Sequence, residues 1–292
     1  MSGHHGTLIG TDTLERHLDD PGWRIVDCRH DLANPDFGRA AYTDGHIPGA
    51  VFMHLDGDLS GPRNGVNGRH PLPEPERLAA RLEALGIGDD TQVIAYDDAG
   101  GMFAARLWWL LRWMGHARVA VLDGGLHAWR KAARLLETEA PQPIPGRFTH
   151  RPVVHALAGT ASAGELLEQL QQPDSAVLCV LDARSPDRYR GENETLDPIG
   201  GHIPGARNRF FRDNLDEDGR FKPAAVLRDE FLQLLDGLPP GGVVHQCGSG
   251  VTACHNLLAM EHAGLTGSRL YPGSWSEWCS DSNRPVATGS RP

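Results

Sequence analysis

Cys247 and its neighbours are the part of this sequence best equipped for chemistry: His245-Gln246-Cys247-Gly248-Ser249-Gly250-Val251-Thr252-Ala253-Cys254-His255-Asn256. The apolar run Gly242-Val243-Val244 leads in with strand character, and Thr252 to Met260 has helical composition, so the cysteine falls at a strand-to-helix turn. Gly248 and Gly250 carry no Cβ, which lets backbone N–H groups turn inward around the sulfur, and the N-terminus of the following helix adds positive potential. Both effects favour the thiolate, the nucleophilic form of cysteine. The competing reading is a buried, inert cysteine at the end of a core strand. Two glycines within three residues of the sulfur favour an exposed catalytic loop instead.

The rest of the chain limits what this loop can serve. Its 292 residues suggest two domains. A formal charge of −10 argues against nucleic acid or an anionic membrane as the main partner, while leaving room for a local anion site. Leu107-Trp108-Trp109-Leu110-Leu111 is bracketed by Arg106 and Arg112 and is too short to span a bilayer. Met1-Ser2-Gly3-His4-His5 lacks the basic-then-apolar pattern of a secretion signal, so a cytoplasmic location is expected. Five cysteines with no C-x-x-C pair suggest reduced thiols, with neither a disulfide framework nor a zinc knuckle. Cys254, seven residues beyond Cys247, reads as helix packing. The fifteen histidines show no metal-ligand spacing, and Asn214 to Gly219 lacks a calcium loop's glutamate, with Ala225 in its place. No metal and no cofactor are expected.

Strand signals at 24–27, 92–96 and 118–122 alternate with helix signals at 75–85 and 102–114, which predicts an α/β fold with a parallel sheet flanked by helices on both faces. Three prolines and a glycine in residues 139–146 mark a linker. The second half then repeats the first. Val26-Asp27-Cys28-Arg29 matches Leu181-Asp182-Ala183-Arg184, and Gly45-His46-Ile47-Pro48-Gly49-Ala50 recurs unchanged as Gly201-His202-Ile203-Pro204-Gly205-Ala206. Val93–Arg106 aligns with Val243–Asn256, and Gly124–Trp129 with Gly273–Trp278. Two copies of one domain follow: residues 1–140, a linker at 141–155, and residues 156–292. Asp97 stands where the second copy has Cys247, so the first copy is expected to be catalytically silent. The two histidines of the repeated G-H-I-P-G element read as structural hydrogen-bonding groups.

Tandem copies, a G-H-I-P-G-A element in each, an Asp-x-Arg strand end and a Cys-Gly-Ser-Gly-Val-Thr-Ala loop in the second copy together resemble the two-domain rhodanese-type sulfurtransferases over nearly the whole chain. The loop is similar to that of the members acting on 3-mercaptopyruvate; thiosulfate-preferring members usually carry basic side chains just after the cysteine. The resemblance implies a ping-pong reaction in which Cys247 takes a sulfane sulfur from 3-mercaptopyruvate, or alternatively thiosulfate, holds it as a persulfide, and passes it to a thiol, cyanide or a thioredoxin-like protein. It implies that Arg188 grips the donor carboxylate, as a guanidinium fork is suited to do. It also implies that Gly248, Gly250, Val251 and Thr252 line the bound group. The family's second arginine corresponds to Leu196 here, which leaves Arg190 as a substitute. Some members have a Ser-His-Asp relay, matched by Ser249, His70 and Asp56, to protonate the enolate left by desulfuration.

Two other readings carry less weight. Cysteine-dependent phosphatases of related fold need an arginine at the place of Ala253 to bind phosphoryl oxygens. A binding-only module is opposed by the intact Cys247 loop.

Overall fold

Short runs of β-branched and apolar residues form two separate five-stranded sheets in the computed structural model, which describes residues 4–150, 158–171 and 178–292. The chain divides into two compact units: Met1–Gly61, Leu72–Leu157 and Glu217–Phe221 in the first, and Pro62–Pro71, Ala158–Asp216 and Lys222–Pro292 in the second.

The first unit contains β1 (Leu8–Ile9), α1 (Thr11–Glu15), β2 (Trp23–Asp27), α2 (Phe37–Asp44), β3 (Val51–Phe52), α3 (Pro75–Ala84), β4 (Gln92–Tyr96), α4 (Ala104–Trp113), β5 (Val119–Leu122) and α5 (Gly125–Lys131). Its strands are all parallel, in the order β1-β5-β4-β2-β3. The second unit repeats this plan with β6 (Gly159–Thr160), α6 (Ala163–Gln171), β7 (Cys179–Asp182), α7 (Pro186–Arg190), β8 (Arg207–Asn208), α8 (Ala224–Leu235), β9 (Val243–Gln246), α9 (Thr252–His262), β10 (Arg269–Leu270) and α10 (Ser274–Trp278). Its order, β6-β10-β9-β7-β8, is the same and again parallel. A parallel strand is buried on both faces, which is why β4 and β9 are buried at every position.

Packing around these strands is dense and apolar. Ile25, Ile94, Leu126 and Trp129 join one cluster in the first unit, and Val180, Val244, Trp275 and Trp278 join one in the second. Burying such a side chain stabilises the fold by about 1.5–3 kcal/mol. The helix expected near 102–114 is α4, buried continuously from Ala104 to Leu111.

The division between units differs from a single cut. Pro62–Pro71, expected in the first domain, belongs to the second unit because Arg69 N–H donates to Ser276 Oγ at 3.0 Å and its guanidinium pairs with Asp197. Conversely, Glu217–Phe221 joins the first unit, where Phe221 N–H donates to Asp123 Oδ1 at 2.8 Å. The early part of the expected 141–155 linker folds back on the first unit, Gly146 N–H reaching Glu83 O at 2.8 Å and Phe148 N–H reaching Glu83 Oε1 at 2.9 Å. Residues 151–155 of it lie outside the described residues.

The G-H-I-P-G histidines are structural hydrogen-bonding groups. His46 Nδ1 pairs with Tyr42 O and His202 Nδ1 with Tyr189 O, each at 2.8 Å, and each ring stacks on that tyrosine.

Candidate active site

β9 ends at Gln246, and Cys247 begins the turn into α9. Gly250 makes that turn: its φ is +76°, and an added Cβ would come within 2.5 Å of Pro272 O, so a side chain is excluded twice over. The turn aims Gly250 N–H and Ser249 N–H at Cys247 Sγ, at 3.1 and 3.4 Å. From the helix side, Cys254 Sγ donates to Gly250 O at 3.2 Å and steadies the loop, which is the packing role expected of it. Val251 is the N-cap of α9 and Thr252 its first residue.

Contrary to the expected exposed loop, Cys247 is only 2% exposed. What surrounds it is polar. Cys247 N–H donates to Ser274 Oγ at 3.1 Å, and that hydroxyl donates to Tyr271 O at 2.9 Å. Ser274 holds a left-handed φ of +53°, a conformation costing a non-glycine residue on the order of 1–3 kcal/mol. Gly125, its counterpart in the first unit, has φ +54°.

His70, also buried, shares a 2.7 Å hydrogen bond between its Nδ1 and Ser249 Oγ. Asp56 belongs to the first unit, where its carboxylate lies 3.9 Å from His30 Nε2. Among the described residues, His30, His54 and Asp56 are grouped closely enough to suggest a metal site. Both His54 ring nitrogens are already engaged, however: Nδ1 accepts from the N–H groups of Asp56 and Gly57, and Nε2 faces Pro35 O.

Two guanidinium groups lie over Gly248. A Cβ there would fall 2.7 Å from Arg69 Nη2 and 3.5 Å from Arg188 Nη2. Arg188 forks onto Glu194, with Nη2 at 2.8 Å from Oε1 and Nε at 3.1 Å from Oε2. Burial opposes the charge on Glu194, but the bonds from Arg188 and from the N–H groups of Leu196 and Asp197 outweigh it and hold the carboxyl below its ordinary value. Arg184 forks onto Asp182 and reaches Gly201 O at 2.7 Å. Burial opposes its charge too, yet Asp182 and Glu194 raise its pKa.

Gly248 and Ser249 supply no cation to the loop rim, as expected from their types, but Arg69 joins Arg188 over it. Arg69 was not foreseen, and the available signal was its place directly before His70. Arg190 forks instead onto the exposed Glu192, at 2.8 and 2.7 Å. Leu196 is half exposed.

In the first unit the corresponding turn is occupied by its own side chain. Asp97 Oδ1 accepts from the N–H groups of Ala99 and Gly101, and Oδ2 from those of Phe103 and Ala104, all at 2.8–2.9 Å. Burial pushes this carboxyl up while the four donors pull it back. Burial likewise raises the thiol pKa of Cys28, Cys179 and Cys279, the last to about 11.

Repeated parallel sheets with a cysteine turn in one copy and a carboxylate turn in the other match a known architecture. The family model described as "Rhodanese-like domain" matches residues 10–132 and 162–281, and the chain belongs to that family. It is a two-domain sulfurtransferase. A Pseudomonas aeruginosa relative named "Probable 3-mercaptopyruvate sulfurtransferase" is 49% identical over 97% of this chain and 98% of its own. Bovine "Thiosulfate sulfurtransferase" is 34% identical over 88% of this chain and 85% of its own. The solved structure of "3-mercaptopyruvate sulfurtransferase from Leishmania major" superposes with a TM-score of 0.83 at 31% identity, covering 98% of this chain and 78% of that one. Among the described residues, no helix is long and apolar enough to cross a membrane.

Proposed function

We propose that the second unit transfers sulfur from 3-mercaptopyruvate through a Cys247 persulfide to a thiol, cyanide or a thioredoxin-like acceptor. The observation that carries the donor choice is the Ser249–His70 hydrogen bond beside the sulfur. Cys247 thiolate attacks the donor sulfur, the C–S bond breaks, and its electron pair leaves on carbon as the enolate of pyruvate. The new persulfide S–H then gives up its proton, which the Ser249–His70 couple relays to the enolate carbon, yielding pyruvate and an anionic persulfide. Loop N–H groups stabilise that anion without a metal. In the second half-reaction the acceptor attacks the terminal sulfur, the S–S bond breaks, and Cys247 thiolate is restored; cyanide leaves as thiocyanate.

Arg188 and Arg69 hold the donor carboxylate, with Gly248, Gly250, Val251 and Thr252 lining the space around the transferred sulfur. The first unit, with Asp97 in place of a nucleophile, is silent. A second reading, thiosulfate as donor, is favoured by the two arginines over Gly248, since a compact dianion gains from nearby cations. The cytoplasm is the proposed location.

The test is to mix the purified protein with each donor separately, measure sulfur delivered to cyanide, and map added sulfur by intact-mass and peptide mass spectrometry. Cys247→Ser should abolish transfer while the cysteine-to-serine variants at 28, 179 and 279 retain it. Sulfur mapping to another residue, or turnover by Cys247→Ser, would sink the proposal.

A further inference from the structure

Six charged side chains form a closed network beside the loop. Arg184 pairs with Asp182 at 2.6 Å, Arg188 with Glu194 at 2.8 Å, and Arg69 with Asp197; Glu194 also lies 3.5 Å from Arg184, and Asp197 Oδ2 lies 3.6 Å from Arg188 Nη2. Among the described residues these six form ion pairs only with one another. Three cations and three anions leave the network neutral before Cys247 ionises, even though two arginines lie over Gly248.

Asp197 occupies a distinctive place in that balance. Its side chain is 4% exposed, its Oδ1 pairs with Arg69, and its Oδ2 faces Arg188 with no hydrogen-bond partner in the described structure. One buried carboxylate is therefore shared by both guanidinium groups available to a donor anion. Glu194 differs: its bidentate bonds to Arg188 make it an orienting group for that fork.

We propose that Asp197 sets the charge of the donor pocket and thereby its discrimination between singly and doubly charged sulfur donors. This rests on the reading of Cys247 as the sulfur-carrying nucleophile. A neutral pocket cancels most of the electrostatic advantage a dianion would otherwise draw from Arg69 and Arg188, so a donor with a single carboxylate is disadvantaged least. Leu196, beside Asp197 in sequence, adds no charge that would restore the balance toward positive.

Asp197→Asn keeps the side chain's shape and removes its charge. For a donor charge bound about 4 Å away and screened as in water, removing one anion is expected to raise kcat/KM about fivefold for mercaptopyruvate and, with two charges, about twenty-five-fold for thiosulfate. The thiosulfate-to-mercaptopyruvate ratio should thus rise about fivefold, and Asp197→Glu should return it to the wild-type value. A purely structural role for Asp197 would change both donors alike. The wild-type protein supplies a second measurement: with the attacking Cys247 thiolate the pocket carries one net negative charge, so kcat/KM for thiosulfate should not fall with added salt, and Asp197→Asn should remove any rise that the wild type shows.

An unchanged ratio in folded Asp197→Asn overturns the inference. If that variant does not fold, a steep decline of wild-type thiosulfate kcat/KM with salt overturns it instead. The parent reading fails separately and visibly, by the absence of added sulfur on Cys247 of wild-type protein exposed to either donor.

Discussion

Replacing Asp97 by Asn tests whether the carboxylate turn of the first unit anchors its fold. The two carboxylate oxygens each accept two backbone N–H bonds, from Ala99 and Gly101 and from Phe103 and Ala104. An amide keeps one acceptor oxygen and turns the other position into an NH2 donor, so two N–H groups lose their acceptor and face another donor. The Asp97 side chain is fully buried, and water cannot replace the lost bonds without opening the turn. A buried unsatisfied N–H costs about 1–3 kcal/mol, which gives about 2–6 kcal/mol for the pair. Set against the 5–15 kcal/mol or so that holds a typical domain together, this is a large fraction. Urea unfolding followed by circular dichroism should show the loss as a lower midpoint for the first unit, and Asp97→Ala, which strips all four acceptor bonds, should lower it further. A midpoint for Asp97→Asn indistinguishable from that of wild type would refute the anchoring role.

Arg188→Ala should lower kcat/KM for mercaptopyruvate by roughly ten- to a hundred-fold, the value of a charge-assisted bond to a carboxylate, and affect the acceptor half-reaction less; unchanged donor kinetics in steady-state assays would move the carboxylate elsewhere. Ser249→Ala and His70→Ala should each reduce kcat with mercaptopyruvate by about a hundred-fold or more while altering thiosulfate turnover little, because only the first donor leaves a carbanion to protonate. Equal losses with both donors would argue against the relay. Burial pushes His245 down to about 3, and neither ring nitrogen has a hydrogen-bond partner among the described residues. The unfolded chain therefore binds more protons than the folded one below the ordinary histidine value of about 6.5. This contribution to stability is complete above that pH and is lost toward pH 3, by at most about 1.4 kcal/mol per pH unit. His245→Leu should flatten the pH dependence of urea midpoints in that window, and an unchanged slope would show that His245 is not the titrating group.

The repeat, the alternation of strands and helices, the carboxylate at position 97 and the glycine turn at Cys247 were all legible in the sequence. Each is a local pattern: a parallel strand buried on both faces must be apolar throughout, and a tight turn into a helix requires glycine where φ is positive. Gly125 announces such a turn in the first unit, whereas Ser274 hides the same left-handed backbone behind an ordinary residue type, because its strain is offset by hydrogen bonds to Tyr271 and Cys247. Beyond Arg188, the charge around Cys247 was not legible. Arg69 lies far from Gly248 along the chain, and the Pro62–Pro71 segment carrying it joins the second unit through contacts with Ser276, Asp197 and Ser249. Sequence counts three arginines and three acids without showing that they neutralise one another, because the pair that brings Arg69 into the network joins residues 128 positions apart. Only the tertiary structure decided that two cations overlie a loop whose own residues carry no charge, and that Asp197 lies between them.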